Sequence, residues 1–441
     1  MTSAPAPFGN RATQRRLVDQ LNALASPLEI YPPEGTFHNE TLIRDLRRAR
    51  RARGEDAVGM IALTEVDGVL VWEEGPGTPR IGGRRALRGT AAPGDIIAQY
   101  KFERLQPSQF VTFLDSIDSR LTPVRGLRQL GSDLSLKKVV WPAKGRALLL
   151  LHGTFANSEL LLAELTATAE GKSLLQRARK HYDAVLSFDH PTLAVSPLLN
   201  ALDLVREFHA WHGPIDLVCH GSGGLVARWW LEVLTPAPAV PRRAVLVGSP
   251  LGGTSLAAPA RLRSALSLLT NLGRTLTMEG DAVNAAASPL LEVSLGLMRL
   301  LASASSFVEH TPLLDAGIAL TPGLAAMSRI GSHPELRRLR AADHALPAYF
   351  AVRSDFQSEQ PGWSFWKYFV RTKERLKDIG ADAIFEGPND LVVDTESMID
   401  LREDAQVLEV RDFGTNDVVH HANYFRQKAT LEFVADSLGI P

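Results

Sequence analysis

The chain has 441 residues, more than one hydrophobic core usually organises, so two or three structural units are expected. Hydrophobic residues make up 45% and charged residues 22%, which excludes a disordered or fibrous chain. The formal net charge of -1 excludes a global field recruiting nucleic acid or an anionic membrane, and the Arg-rich run at 44–53 reads as a solvated helix face.

The opening MTSAPAPFGNRATQRRL lacks the apolar core of a secretory signal, and a single cysteine, Cys219, excludes an internal disulfide framework. Both point to a cytoplasmic protein, and the preference for Arg over Lys suits a GC-rich bacterial genome. Residues 40–53 have helical composition. VGMIALTEVDGVLVWEEG then reads as two β-runs around an Asp-Gly turn, and GDIIAQYKFERL from Gly94 as a further strand. Residues 1–140 therefore form a smaller α+β region, a candidate surface for a protein partner.

From Gly145 the pattern changes to short apolar runs separated by helical segments, as in a parallel sheet covered on both faces. The runs are RALLLLHG, DAVLSFDH, PIDLVCHG, RAVLVGSP, PAYFAVRS and AQVLEVRD. Residues 145–441 thus read as an α/β domain with a doubly wound, mostly parallel sheet. In such sheets the working groups gather at the carboxyl ends of the strands. A long Leu/Ala/Ser-rich insertion at about 257–340 separates the fourth and fifth runs. Its stretch at 283–308 is broken by Pro289, Glu292 and Arg299, which reads as an amphipathic segment and not a membrane span.

PIDLVC runs directly into His220-Gly221-Ser222-Gly223-Gly224 and then LVARWWLEVL, a strand-to-helix turn containing a serine. This resembles the nucleophile elbow of α/β-hydrolases, usually GxSxG. HGTF after the first run, SPLGGTSLA after the fourth, NDLVV and VHHANYF are similar to companion motifs of the lipase and esterase branch. The resemblance covers the last two thirds of the chain and implies an α/β-hydrolase fold with a helical cap at 257–340. DHPTLAVSPLLNA is also similar to hydrolase-like proteins found beside caspase-like proteases in bacteria.

Two alignments of the elbow are open. Laid on the lipase pattern GHSxGGLVAR, CHGSGGLVAR puts Gly221 at the nucleophile position and leaves the apex empty. Shifted by one residue, Ser222 is the nucleophile and His220 stands where a small residue is usual. A serine needs a base, and the base a carboxylate, in the chain order Ser, Asp, His. The resemblance implies His421 as base, with His420 the adjacent alternative. It implies Asp390 in GPNDLVVDTES as acid, with Asp355 after PAYFAVRS the alternative. The oxyanion donors it implies are the backbone N–H groups of Thr154, Phe155 and, behind Ser222, Gly223.

The expectation is a serine hydrolase acting on a small-molecule ester or lipid through Ser222, Asp390 and His421. A catalytically empty binding or scaffold protein is the alternative that Gly221 supports. Cys219 reads as a small buried hydrophobe. The aromatic cluster Trp363, Phe365, Trp366, Tyr368 and Phe369 reads as core. No phosphate loop, dinucleotide fingerprint or zinc-ligand spacing appears around His152, His190 or His220, so neither cofactor nor metal is expected.

Overall fold

The computed structural model describes residues 11–33, 58–75, 95–140, 145–209, 211, 213–235, 242–258, 261–278, 281–304, 321–329, 333–341, 347–360, 362–370, 383–402 and 407–441. The helical run at 40–53 and its arginines lie outside them. The chain divides into two compact units, Met1–Thr112 with Pro259–Leu320 and Glu359–Glu386, and Phe113–Ala258 with Thr321–Ser358 and Gly387–Pro441. This differs from the division read from the sequence at 140–145. The insertion at 257–340 is mostly part of the first unit and only its ends belong with the second.

In the first unit an antiparallel sheet has the order β1-β4-β2-β3, built from β1 (Ile30–Tyr31), β2 (Val58–Val66), β3 (Val69–Glu74) and β4 (Asp95–Glu103). The Asp-Gly turn joins β2 to β3 with φ of 50° at Asp67 and 82° at Gly68, the backbone a tight hairpin requires. β3 is an edge strand, and the helix Leu262–Met278 covers that edge with polar side chains. Leu70 N–H donates to Asn271 Oδ1 at 3.0 Å, Asn271 Nδ2 donates to Leu70 O at 2.7 Å, and Trp72 N–H donates to Ser267 Oγ at 3.0 Å. Edge backbone groups that would otherwise invite another strand are thereby satisfied.

The neighbouring helix Asp281–Ala304 contains the one described segment long and apolar enough to span a membrane, Ala287–Ala304, of which 83% is buried inside the protein. Its Arg299 is buried and donates to the carbonyls of Leu28 and Glu103. Trp363, Phe365, Trp366 and Phe369 are buried in this unit too.

The second unit holds an eight-stranded sheet of order β12-β11-β10-β9-β7-β8-β5-β6. Its strands are β5 (Gly126–Leu130), β6 (Leu136–Lys138), β7 (Ala147–Leu151), β8 (Ala184–Asp189), β9 (Ile215–His220), β10 (Arg243–Val247), β11 (Ala348–Phe356) and β12 (Glu409–Asn416). β7 to β12 are the six runs read from the sequence, and they pair in parallel. β7 and β8 are buried along their whole length, which is why their residues do not alternate with polar ones. β5 and β6 escaped the sequence reading. They form an antiparallel hairpin added beside β8, and their half-buried residues carry no continuous apolar signal.

From β7 the chain moves to β8 on one side, and β9 then returns to β7's other side. The crevice between β7 and β9 is therefore the switch point of the sheet.

β9 feeds the helix Gly223–Arg228, which continues as the π-helical turn Trp229–Leu234. Arg228 and Glu232 form a fully buried pair at 2.7 Å, and Tyr349 of β11 donates its hydroxyl to Glu232 Oε1 at 2.8 Å. Removing one member of such a pair strands the other charge. Arg228→Met is expected to lower the unfolding free energy by about 3–5 kcal/mol, measured by urea denaturation followed through tryptophan fluorescence.

Candidate active site

At the switch point, the turn after β9 has left-handed backbone at Gly221, with φ of 50°. Gly221 N–H donates to Val247 O at 3.0 Å, and its carbonyl accepts from Gly224 N–H at 3.1 Å. Ser222 follows with ordinary helical angles, φ -63° and ψ -17°. Residue 221 is therefore the apex of the turn, where one residue must adopt positive φ for strand and helix to meet. A Cβ built there would stand 3.2 Å from Nε2 and 3.6 Å from Cε1 of His421.

His421 donates Nδ1–H to Asp390 Oδ2 at 2.8 Å, and its backbone N–H donates to Asp390 O at 3.0 Å. The fully buried Asp390 carboxylate accepts four donors in all. Oδ1 takes the N–H groups of Val392 at 3.1 Å and Val393 at 2.8 Å, while Oδ2 takes the Tyr424 hydroxyl at 3.0 Å besides His421. With Nδ1 protonated toward Asp390, the neutral imidazole presents Nε2 as an acceptor. Among the described residues nothing donates to it.

Asp390 and His421, first choices from the sequence, thus come together, and they meet Gly221. Ser222 does not meet them. Its hydroxyl is buried and accepts from Thr154 Oγ1 at 2.8 Å, on the side of the loop after β7. The glycine alignment is the one the backbone adopts. The one-residue shift that would bring Ser222 to the apex fails because positive φ falls at 221.

The alternates occupy supporting positions. Asp355 accepts Asn389 N–H at 3.3 Å, Gln357 Nε2 at 2.8 Å and Thr415 Oγ1 at 2.7 Å, so it pins the residue before Asp390 to β12. His420 points away from the apex. It is buried, lies edge-on to Phe356, and accepts Ala422 N–H at Nδ1.

Two oxyanion assignments are corrected. Phe155 N–H is already donated to Thr192 Oγ1 at 3.2 Å. Gly223 is two residues past the apex, and its α-carbon is where helix and β7 touch, since a Cβ there would lie 2.7 Å from His152 O. With the apex at 221, the donor that the turn directs at a developing oxyanion is Ser222 N–H. The Thr154 hydroxyl donates to Ser222 Oγ, with Met327 Sδ 3.4 Å away, and among the described residues the Thr154 backbone N–H has no acceptor.

Sequence reading missed Tyr424 and His220. Tyr424 lies three residues after His421 in a short 3₁₀ turn, a spacing that could have singled it out. His220 packs against His421 with ring centroids 4.6 Å apart and ring planes tilted by 37°, and donates Nε2–H to His421 O at 2.9 Å. Only folding brings that pair together. His152 and His190 stack at 4.1 Å beside the crevice, both buried. Burial lowers their ability to hold a proton. Among the described residues no three His, Cys, Asp or Glu side chains form a group suited to a metal ion.

The parallel sheet, the elbow at its switch point, the acid loop after β11 and the histidine after β12 define an α/β-hydrolase fold. Residues 127–439 match the family described as Domain of unknown function (DUF7379), and the chain belongs to that family. No curated protein matches the chain. Similar solved structures include lipase 1 from Pelosinus fermentans, with 13% identity, a TM-score of 0.41 and coverage of 67% of this chain and 98% of that one. An esterase from Exiguobacterium antarcticum has 12% identity, a TM-score of 0.35 and coverage of 71% and 99%. Bromoperoxidase from Bacillus anthracis has 10% identity, a TM-score of 0.35 and coverage of 72% and 100%.

Burial first, and the neighbouring His421 second, push the imidazoles of both His220 and His420 down to about 3. In the unfolded chain these groups take up protons near pH 6.5. Between those values the unfolded state binds more protons, so stability is complete above about pH 6.5 and falls as pH drops toward 3. His420→Asn, whose amide oxygen can still accept Ala422 N–H, is expected to flatten the decline of Tm between pH 6.5 and 4. An unchanged slope would rule His420 out as a source of the acid sensitivity.

Proposed function

We propose that this chain is an α/β-hydrolase-fold protein that binds an acyl-bearing small molecule, an ester or a lipid, without forming an acyl-enzyme. The observation that carries the reading is Gly221 at the elbow apex, with its α-carbon directed at His421 Nε2 and no side chain to attack. Other groups that an acyl-transfer site would use lie around that gap. Asp390 and Tyr424 fix the imidazole, and the Ser222 N–H follows the apex as an oxyanion donor would. For Ser222 to be the nucleophile it would have to leave its bond to Thr154 and reach the opposite side of its own backbone.

A fluorophosphonate probe separates the two readings, because it marks only a serine activated by its base. Wild-type protein is expected to carry no adduct on residues 220–228 by mass spectrometry. Gly221→Ser is expected to acquire the adduct and to hydrolyse short-chain p-nitrophenyl esters with an initial burst, despite losing about 1–3 kcal/mol of stability to positive φ at a non-glycine residue. A wild-type adduct on Ser222 that disappears in His421→Ala would restore the serine-hydrolase reading.

A further inference from the structure

The gap at residue 221 has a definite chemical environment. An atom at the missing Cβ position lies 3.2 Å from His421 Nε2 and 3.5 Å from the α-carbon of Gly153, so glycine backbone walls it on two sides. No oxygen can stand at that point itself, one covalent bond from the Gly221 α-carbon, but the glycine leaves the approach to Nε2 clear of the side chain that residue 221 would otherwise carry. Nε2 is an acceptor with no donor among the described residues. Its ring is held by Asp390, by the tilted ring of His220 packed against it and by the bond from His220 to the His421 carbonyl.

We infer that a water molecule reaches His421 Nε2 past the bare apex, and that His421 is its general base, so that an ester is cleaved with no covalent intermediate on the protein. The inference rests on the reading above, that the chain supplies no nucleophile of its own. Water gives one proton to Nε2 as its oxygen bonds to the ester carbonyl carbon, and the carbonyl π pair moves to oxygen, facing the Ser222 N–H. The carbonyl then re-forms, the bond to the alcohol oxygen breaks, and the leaving alkoxide takes the proton from Nε2. Acid and alcohol are released with no change of oxidation state. A positioned base contributes about 10²- to 10⁴-fold, so the activity is modest beside that of a covalent hydrolase.

The test measures p-nitrophenyl acetate hydrolysis by the full-length protein from the first turnover onward. Expected are a linear progress curve without a burst, a normal solvent deuterium isotope effect, and loss of about 10²-fold or more in His421→Gln. Gly221→Ala keeps His421 but sets a methyl group 3.2 Å from Nε2, and is expected to lose the activity to the same extent without gaining a fluorophosphonate label. Circular dichroism confirms that each variant is folded. Equal rates in wild type, His421→Gln and Gly221→Ala overturn the inference and leave the empty-apex reading standing. A burst, or an adduct on a residue of the elbow, overturns the empty-apex reading itself.

Discussion

A central strand that runs straight into a helix must place one residue in the left-handed region, and in this protein that residue is Gly221. A side chain at that point would face the histidine after β12, since a Cβ there would stand 3.2 Å from Nε2 of His421. Structural and chemical demands therefore fall on a single position. An L-residue there accepts backbone strain and gains a nucleophile, whereas glycine relieves the strain and gives the nucleophile up. Everything else at the switch point is arranged around that choice: the imidazole edge 3.2 Å from the absent Cβ, the carboxylate behind it, and Ser222 turned away toward Thr154.

The relay is held by bonds among strand ends that lie far apart in the chain. Ser354, near the end of β11, donates its hydroxyl to Val419 O and accepts from Asn416 Nδ2, while its own carbonyl accepts the Thr395 hydroxyl. Asn416 Oδ1 in turn accepts Val419 N–H. The acid loop and the histidine loop are thus fastened to the same strand end, and Asp355 adds a second fastening through Asn389 and Thr415. A buried network of this kind confines the geometry because each member left without its partner carries the cost of an unsatisfied polar group. The His421 ring is consequently fixed in direction without any help from a serine.

The first unit uses the same principle for another purpose. Asn271 and Ser267 satisfy the outer backbone groups of β3, and Arg299 reaches the carbonyls of Leu28 and Glu103 from within an otherwise apolar helix. Arg299 interrupts a stretch that by length and hydropathy resembles a membrane span, and its guanidinium has backbone partners inside the unit. The insertion after β10 serves this unit's core, which its leucine-rich composition alone did not distinguish from a cap over a ligand site.

By itself the sequence showed the six parallel strands as apolar runs, most continuous in β7 and β8, which are buried along their whole length, and it showed the Asp-Gly hairpin, while for the acid and the base it offered Asp390 or Asp355 and His421 or His420. It narrowed the elbow to two residues and went no further, since HGSGG offers a glycine or a serine to the same turn. Only the tertiary structure decided between them, because a backbone torsion at one residue depends on where β9 ends and where the following helix must pack against β7. It also brought in Tyr424, His220 and the β5–β6 hairpin. Tyr424 acts through its hydroxyl on Asp390, 34 residues away, and His220 on the His421 carbonyl, 201 residues away, contacts that only folding makes. The hairpin is half-buried at one side of the sheet, where periodicity is weakest.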